Sequence, residues 1–158
     1  MEKPILAAML SCSGLELTDE EKKYFSQSNP LGVSLFNRNI KHDEQLKKLI
    51  KEIKEVIGRD DVLIAVDEEG GRVTRLVAAG HPQYASEEVL GAAPAEYSRY
   101  HAELIAEDLY ALGINVNYAP VVDKKTTPQN KVLEGRCFSD KPEEIVSRAQ
   151  IMAQTYID

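Results

Sequence analysis

The run Val62-Leu63-Ile64-Ala65-Val66 constrains this chain most: five apolar residues in a row, ending abruptly in Asp67-Glu68-Glu69-Gly70-Gly71-Arg72. A strand that shows water neither face is expected in a parallel sheet covered on both sides, and such sheets need crossover helices. The rest of the chain reads accordingly. Ile5–Leu10 fits a first buried strand. Thr18 and Glu21 have the spacing of a capping box opening a short helix that runs to about Gln27 and stops at Asn29-Pro30. Gly32–Phe36 reads as a second strand, followed by the polar turn Asn37-Arg38-Asn39.

Leu46, Leu49, Ile50, Ile53, Val56 and Ile57 fall on one helical face, with Asp43 as the expected N-cap and Gly58 as the C-terminal stop. After the 62–66 strand, Gly80, His81-Pro82 and Gly91 punctuate an irregular stretch. A helix over Ala95–Leu112 follows, with Leu104, Ile105, Leu109 and Leu112 on its apolar face and Gly113 beyond it. Ile114–Tyr118 is a fourth strand. From Ala119 to Lys141 no periodicity is visible, and a connection that long is usually functional or disordered. Pro142 suits the first turn of a last helix carrying Ile145, Ala149, Met152 and Tyr156 on one face.

Four strand–helix units imply an α/β fold, either an open doubly wound sheet or half of a closed barrel. In both, function sits at the C-terminal ends of the strands. That is where the polar residues Asn37–Asn39, Asp67–Arg75 and Asp123 fall.

Charge and composition exclude several functions. The net charge is −7, from 26 acidic and 19 basic residues, and no Lys/Arg block offers a footprint for a phosphate backbone. Nucleic acid and membrane are therefore not expected partners. The apolar part of Ile5–Leu10 is too short for a leader, and Met9-Leu10-Ser11 is a poor approach to a lipidated Cys12. Cys12 and Cys137 have no second Cys or His at ligand spacing, so reduced thiols in a cytoplasmic protein, with no metal and no cofactor, are the expectation.

The strongest chemical signal is Asp67–Arg75. Diglycine lets backbone approach a ligand and permits positive φ. An Asp beside an Arg can accept from and donate to vicinal hydroxyls together. Part of the cluster, among Glu68, Glu69 and Arg72, is expected to brace the turn. A divalent metal lacks a second ligand cluster, and a phosphate would be repelled by the surrounding acids.

These residues also carry a family resemblance. Val66–Arg75 resembles the D-Q-E-G-G-R-V-x-R signature of glycoside hydrolase family 3, in its β-N-acetylhexosaminidase branch. Gly32–Asn39 is similar to G-V-I-L-F-x-R-N, Leu112–Asp123 to L-G-I-x-x-N-x-A-P-V-x-D, and Val132–Phe138 to V-I-G-x-R-S-F. Glu68 stands where the family has Gln, Cys137 where it has Ser, and Glu134-Gly135 reverses the usual order before Arg136.

The resemblance implies a (β/α)₈ barrel that releases a terminal non-reducing β-linked N-acetylglucosamine by the retaining route, as in cytoplasmic peptidoglycan recycling and cell-wall metabolism. By position it makes Asp67, Arg75 and Arg136 sugar-binding residues, with Glu69, Arg72, Asn117 and Asp123 in supporting roles. The family's K-H-F-P-G-H-G segment and its later Asp nucleophile have no counterpart here; the only histidines are His42, His81 and His101. His42 and His101 read as surface residues and His81 as a loop residue.

A retaining glycosidase needs two carboxyl groups about 5–5.5 Å apart across the scissile bond. Asp67 and Glu69 are not that pair, because the resemblance assigns Asp67 to binding. The expectation is that residues 1–158 form the N-terminal half of a family 3 catalytic barrel, four of eight βα units with no separate second domain. Such a piece would hold no catalytic residue and would be inactive alone. Its open sheet edge would invite self-association. The alternatives are a truncated, non-catalytic sugar-binding or interaction module, and a family 3 β-glucosidase-like enzyme.

Overall fold

A computed structural model describes residues 3–124, 126 and 130–158. The elements in chain order are β1 (Leu6–Leu10), α1 (Asp19–Ser28), β2 (Pro30–Ser34), α2 (Asp43–Ile57), β3 (Leu63–Val66), α3 (Glu87–Ala92), α4 (Glu96–Leu112), β4 (Val116–Asn117) and α5 (Pro142–Ile157). Short 3₁₀ turns occupy Asn37–Asn39 and Leu76–Ala79. The fold is α/β, and among the described residues four strands pair in parallel in the order β1-β2-β3-β4. Sequential parallel pairing with intervening helices is the order of the first four strands of a (β/α)₈ barrel.

Contacts divide the chain into two compact units, each drawn from three segments. The first comprises residues up to Asp67, Arg75–His81 and Leu109–Asn117, and it contains the whole sheet. Val33, Ile64, Ala65 and Val66 are fully buried, as the unbroken apolar run requires. Leu46, Leu49, Ile50, Ile53 and Ile57 of α2 are buried on the face set by their spacing. Each such side chain contributes about 1.5–3 kcal/mol through burial.

Helix ends follow local chemistry. Thr18 and Glu21 form the capping box. Asn29 stops α1 in a left-handed conformation, and Gly58 stops α2 in the same way. Asn39 is fully buried as a bracket: its Nδ2 donates to the carbonyl oxygens of Cys12 (3.1 Å) and Gly14 (2.8 Å), and its Oδ1 accepts from the Phe36 amide (2.9 Å).

The second unit comprises Glu68–Thr74, Pro82–Asp108 and Tyr118–Asp158. Its core joins Leu90 of α3, Ala102 of α4, Phe138, and Ile145 and Met152 of α5, with Tyr156 packed against them.

Several expectations need correction. His42, not Asp43, caps α2: its ring accepts from the Gln45 amide, and Asp43 is already helical. β1 is an edge strand with Leu6 41% exposed rather than a buried one. β2 begins at Pro30, where the missing N–H is tolerated at a strand's first residue. β4 pairs only at Val116 and Asn117. Gly91 lies inside α3 rather than between elements.

On α4, Leu104 is 54% exposed, while Ser98, His101 and Ala102 are buried with Ile105. The buried stripe is rotated toward smaller and more polar residues, which a purely apolar pattern misses. Of the stretch from Ala119 to Lys141, residues 125 and 127–129 lie outside the described residues.

Candidate functional site

In the first unit, Asp67 follows directly on the C-terminal end of β3, and Arg75 donates to its carboxylate from Nη2 at 3.0 Å. The two side chains are 29% and 19% exposed. A partly open carboxylate and guanidinium, held side by side, can accept and donate hydrogen bonds to neighbouring hydroxyls. Asn117, also assigned by sequence, lies in β4 opposite Val66.

The second unit holds the rest of the signature. Gly70 and Gly71 have φ of +85° and +57°. A Cβ at Gly70 would stand 2.1 Å from the Ala85 carbonyl oxygen, so both conformation and space demand glycine there. The turn is fastened on each side. The Gly71 amide donates to the Tyr84 carbonyl (2.9 Å), the Glu69 amide donates to the Val73 carbonyl (3.0 Å), and Gln83 donates to the Gly71 carbonyl (2.7 Å).

Glu68 is fully buried and accepts from the Thr74 hydroxyl. Arg72 donates to the carbonyl oxygens of Glu134 (2.9 Å), Lys131 (2.8 Å) and Val132, so it fastens the turn that precedes Arg136. Glu68 and Arg72 thus take part of the bracing role expected within this cluster.

Arg136 grips Glu69 with two parallel bonds of 2.7 Å, from Nε and Nη2, while its Nη1 donates to the Val132 carbonyl (3.1 Å). Glu69 is 3% exposed, and both its oxygens are engaged. That geometry suits a positioning carboxylate and not a proton shuttle or nucleophile. Asp123 is exposed.

Sequence reasoning missed three polar groups of this unit. Glu87 is 1% exposed and accepts the Val121 amide (2.7 Å); burial, reinforced by the Glu69 charge, pushes its carboxyl up to about 8 despite the opposing Val121 bond and Arg136. His101, expected at the surface, is 6% exposed, bonds the Ala85 carbonyl at 3.0 Å, and is pushed down by burial toward its neutral form. Tyr84 donates to Asp108, and burial together with that bond raises its phenol. Nothing in Ser86-Glu87-Glu88 distinguishes Glu87 from an ordinary acidic first turn.

Cys12 and Cys137 are free and buried, and burial raises the Cys12 thiol to about 11. Among the described residues no helix is long and apolar enough to cross a membrane.

The model of the glycosyl hydrolase family 3 N-terminal domain matches residues 6–158. A β-hexosaminidase of Xanthomonas campestris pv. campestris is 33% identical over 154 residues, covering 92% of this chain and 45% of the relative. One from Psychromonas ingrahamii is 35% identical over 157 residues, covering 95% and 44%. The chain thus spans less than half the length of these curated relatives.

Among solved structures, NagZ from Neisseria gonorrhoeae in complex with N-trifluoroacetyl-D-glucosamine aligns with a TM-score of 0.87 at 31% identity, over 98% of this chain and 47% of that one. A family 3 β-N-acetylglucosaminidase from Paenibacillus aligns with a TM-score of 0.87 at 32% identity, over 95% and 29%. With its parallel sheet, its diglycine turn and a match over nearly its whole length, this chain belongs to glycoside hydrolase family 3, in its N-terminal domain.

Proposed function

We propose that this chain is the N-terminal, sugar-binding half of a β-N-acetylhexosaminidase barrel that releases terminal β-linked N-acetylglucosamine, with retention, from peptidoglycan fragments or related glycans in the cytoplasm. The observation that carries the reading is the partly exposed Asp67–Arg75 pair at the end of β3, in a chain 33% identical to a β-hexosaminidase and 31% identical to NagZ.

Asp67 accepts hydrogen bonds from sugar hydroxyls, Arg75 orients that carboxylate and donates, and Arg136 is a further sugar contact. Glu69 and Arg72 hold Arg136 and its turn, while Asn117 and Asp123 support strand and loop. Charge-assisted hydrogen bonds of this kind contribute about 1.5–3 kcal/mol each.

The reaction also needs a nucleophile and an acid/base group on opposite sides of the glycosidic bond. Glu69 is committed to Arg136 and Glu68 to Thr74, so this chain's part is recognition rather than bond cleavage. The isolated chain is therefore expected to give no turnover of a chromogenic N-acetylglucosaminide. Turnover well above a matched Asp67→Ala control would overturn that division of labour.

β1 and β4 each have one strand neighbour among the described residues, and an unpaired parallel edge favours association between copies. A monomer by sedimentation at every concentration would contradict that part.

A further inference from the structure

Glu87 opens α3, directly after the cap Ser86, whose hydroxyl accepts from the Val89 amide. Its side chain is not at the surface where first-turn acids normally sit; it is 1% exposed. Oε1 accepts the Val121 amide at 2.7 Å, while Oε2 is inaccessible and has no hydrogen-bond partner. An ionised carboxylate with one oxygen stranded in this way is costly to bury.

The charged groups acting on it offer no relief. Glu69 opposes its ionisation, and Arg136, which would favour it, already gives two donors to Glu69 and one to Val132. From α5, Arg148 binds the Gly91 and Ala93 carbonyl oxygens at the other end of α3.

We propose that Glu87 is a positioning residue: from its buried place at the start of α3 it pins the Val121 amide through Oε1 and so latches the 119–123 segment that carries Asp123. Within this latch the Val121 N–H favours the ionised form, and burial together with the Glu69 charge outweighs it in favour of the neutral acid. Burial and the Glu69 charge set the transition at about 8. The folded-state value lies above the ordinary carboxyl value of 4.5, so the neutral form's stabilisation is complete in acid. It declines as pH rises and is gone once the pH passes the folded value. The consequence for catalysis rests on the proposed function. The latch itself does not, since it can be read with no sugar present.

The test is an NMR titration of the 158-residue chain from pH 5 to 10, following the Glu87 side-chain carboxyl carbon and the Val121 amide. The carboxyl is expected to hold its protonated shift through neutrality and change with a midpoint near 8, with the Val121 amide moving at the same midpoint. Glu87→Gln keeps a neutral acceptor, so its Val121 amide should stay near the acid-form position throughout. Glu87→Leu should lose at least about tenfold in Val121 amide-exchange protection, the equivalent of one hydrogen bond. A Glu87 midpoint in the ordinary carboxyl range overturns the proposal. So does a Val121 amide that ignores the titration, or moves identically in Glu87→Gln. The wild-type titration decides the matter even if a variant fails to fold.

Discussion

Replacing Glu69 with Gln removes the charge from a carboxylate that is 3% exposed and gripped through two bonds of 2.7 Å by Arg136. Gln can return one acceptor, but its amide nitrogen then faces a guanidinium that can only donate. Breaking a buried pair by removing one partner costs about 3–5 kcal/mol, because the other charge is left uncompensated. The Arg136 side chain is 24% exposed and keeps the Val132 carbonyl, so water and that oxygen relieve part of the penalty. The lower end, about 3 kcal/mol, is the expectation.

For a chain of this size each kcal/mol lowers Tm by about 2–4 °C, so Glu69→Gln should melt about 9 °C below wild type. Urea unfolding should show the same loss at an unchanged slope. The double variant Glu69→Leu with Arg136→Met removes both charges and should recover most of the loss, because an apolar pair carries no stranded charge. A loss below about 0.5 kcal/mol for Glu69→Gln would refute the reasoning by putting the pair in the range of an exposed surface bridge. A double variant as unstable as the sum of the singles would refute it too.

Two other substitutions test the packing of each unit separately. Gly91→Ala adds a Cβ 1.7 Å from the Phe138 carbonyl oxygen, a backbone atom that cannot rotate away. The helix propensity gained is at most about 1 kcal/mol, while overpacking costs about 1–3 kcal/mol or more. A net loss of about 2 kcal/mol by urea unfolding is expected, and a stabilised variant would contradict the close approach. Asn39→Ala removes the partners of the Gly14 carbonyl oxygen and the Phe36 amide, while the Cys12 carbonyl keeps Arg38. A loss of about 3 kcal/mol is expected, since each buried unsatisfied group costs about 1–3 kcal/mol, and near-neutrality by the same assay would show that water replaces the bracket.

What was legible in the sequence follows from how local the signals are. The 62–66 run, the Thr18/Glu21 box, the Gly58 stop and the α2 face are each set by residues within a few positions, and the structure carries each, with β3 starting at a half-buried Leu63 and Val56 of the α2 face only half-buried. The diglycine was legible for the same reason: it marks a turn needing positive φ, and both glycines have it.

Burial of polar side chains was not legible, because it depends on partners far along the chain. Glu87 meets Val121 34 residues later, and Glu69 meets Arg136 67 residues later. No periodicity encodes such encounters. His101 and Leu104 exchanged their expected places because α4 buries Ser98, His101, Ala102 and Ile105, a stripe in which hydropathy is a poor guide. His42 replaced Asp43 as the cap because a ring nitrogen can accept an amide proton as a carboxylate does, a role that Asp at the next position obscured.

The central claim is that Asp67 and Arg75 bind the sugar of a hexosaminidase. The most direct test is kcat/KM on a chromogenic N-acetyl-β-glucosaminide, measured for a fusion of this chain to the C-terminal part of a hexosaminidase relative. The account predicts that the fusion hydrolyses the substrate. Asp67→Asn, with its fold retained, should lower kcat/KM about a hundredfold, the rate equivalent of about 3 kcal/mol in lost sugar contacts. A folded, active fusion in which Asp67→Asn and Arg75→Ala are as active as the parent would contradict it.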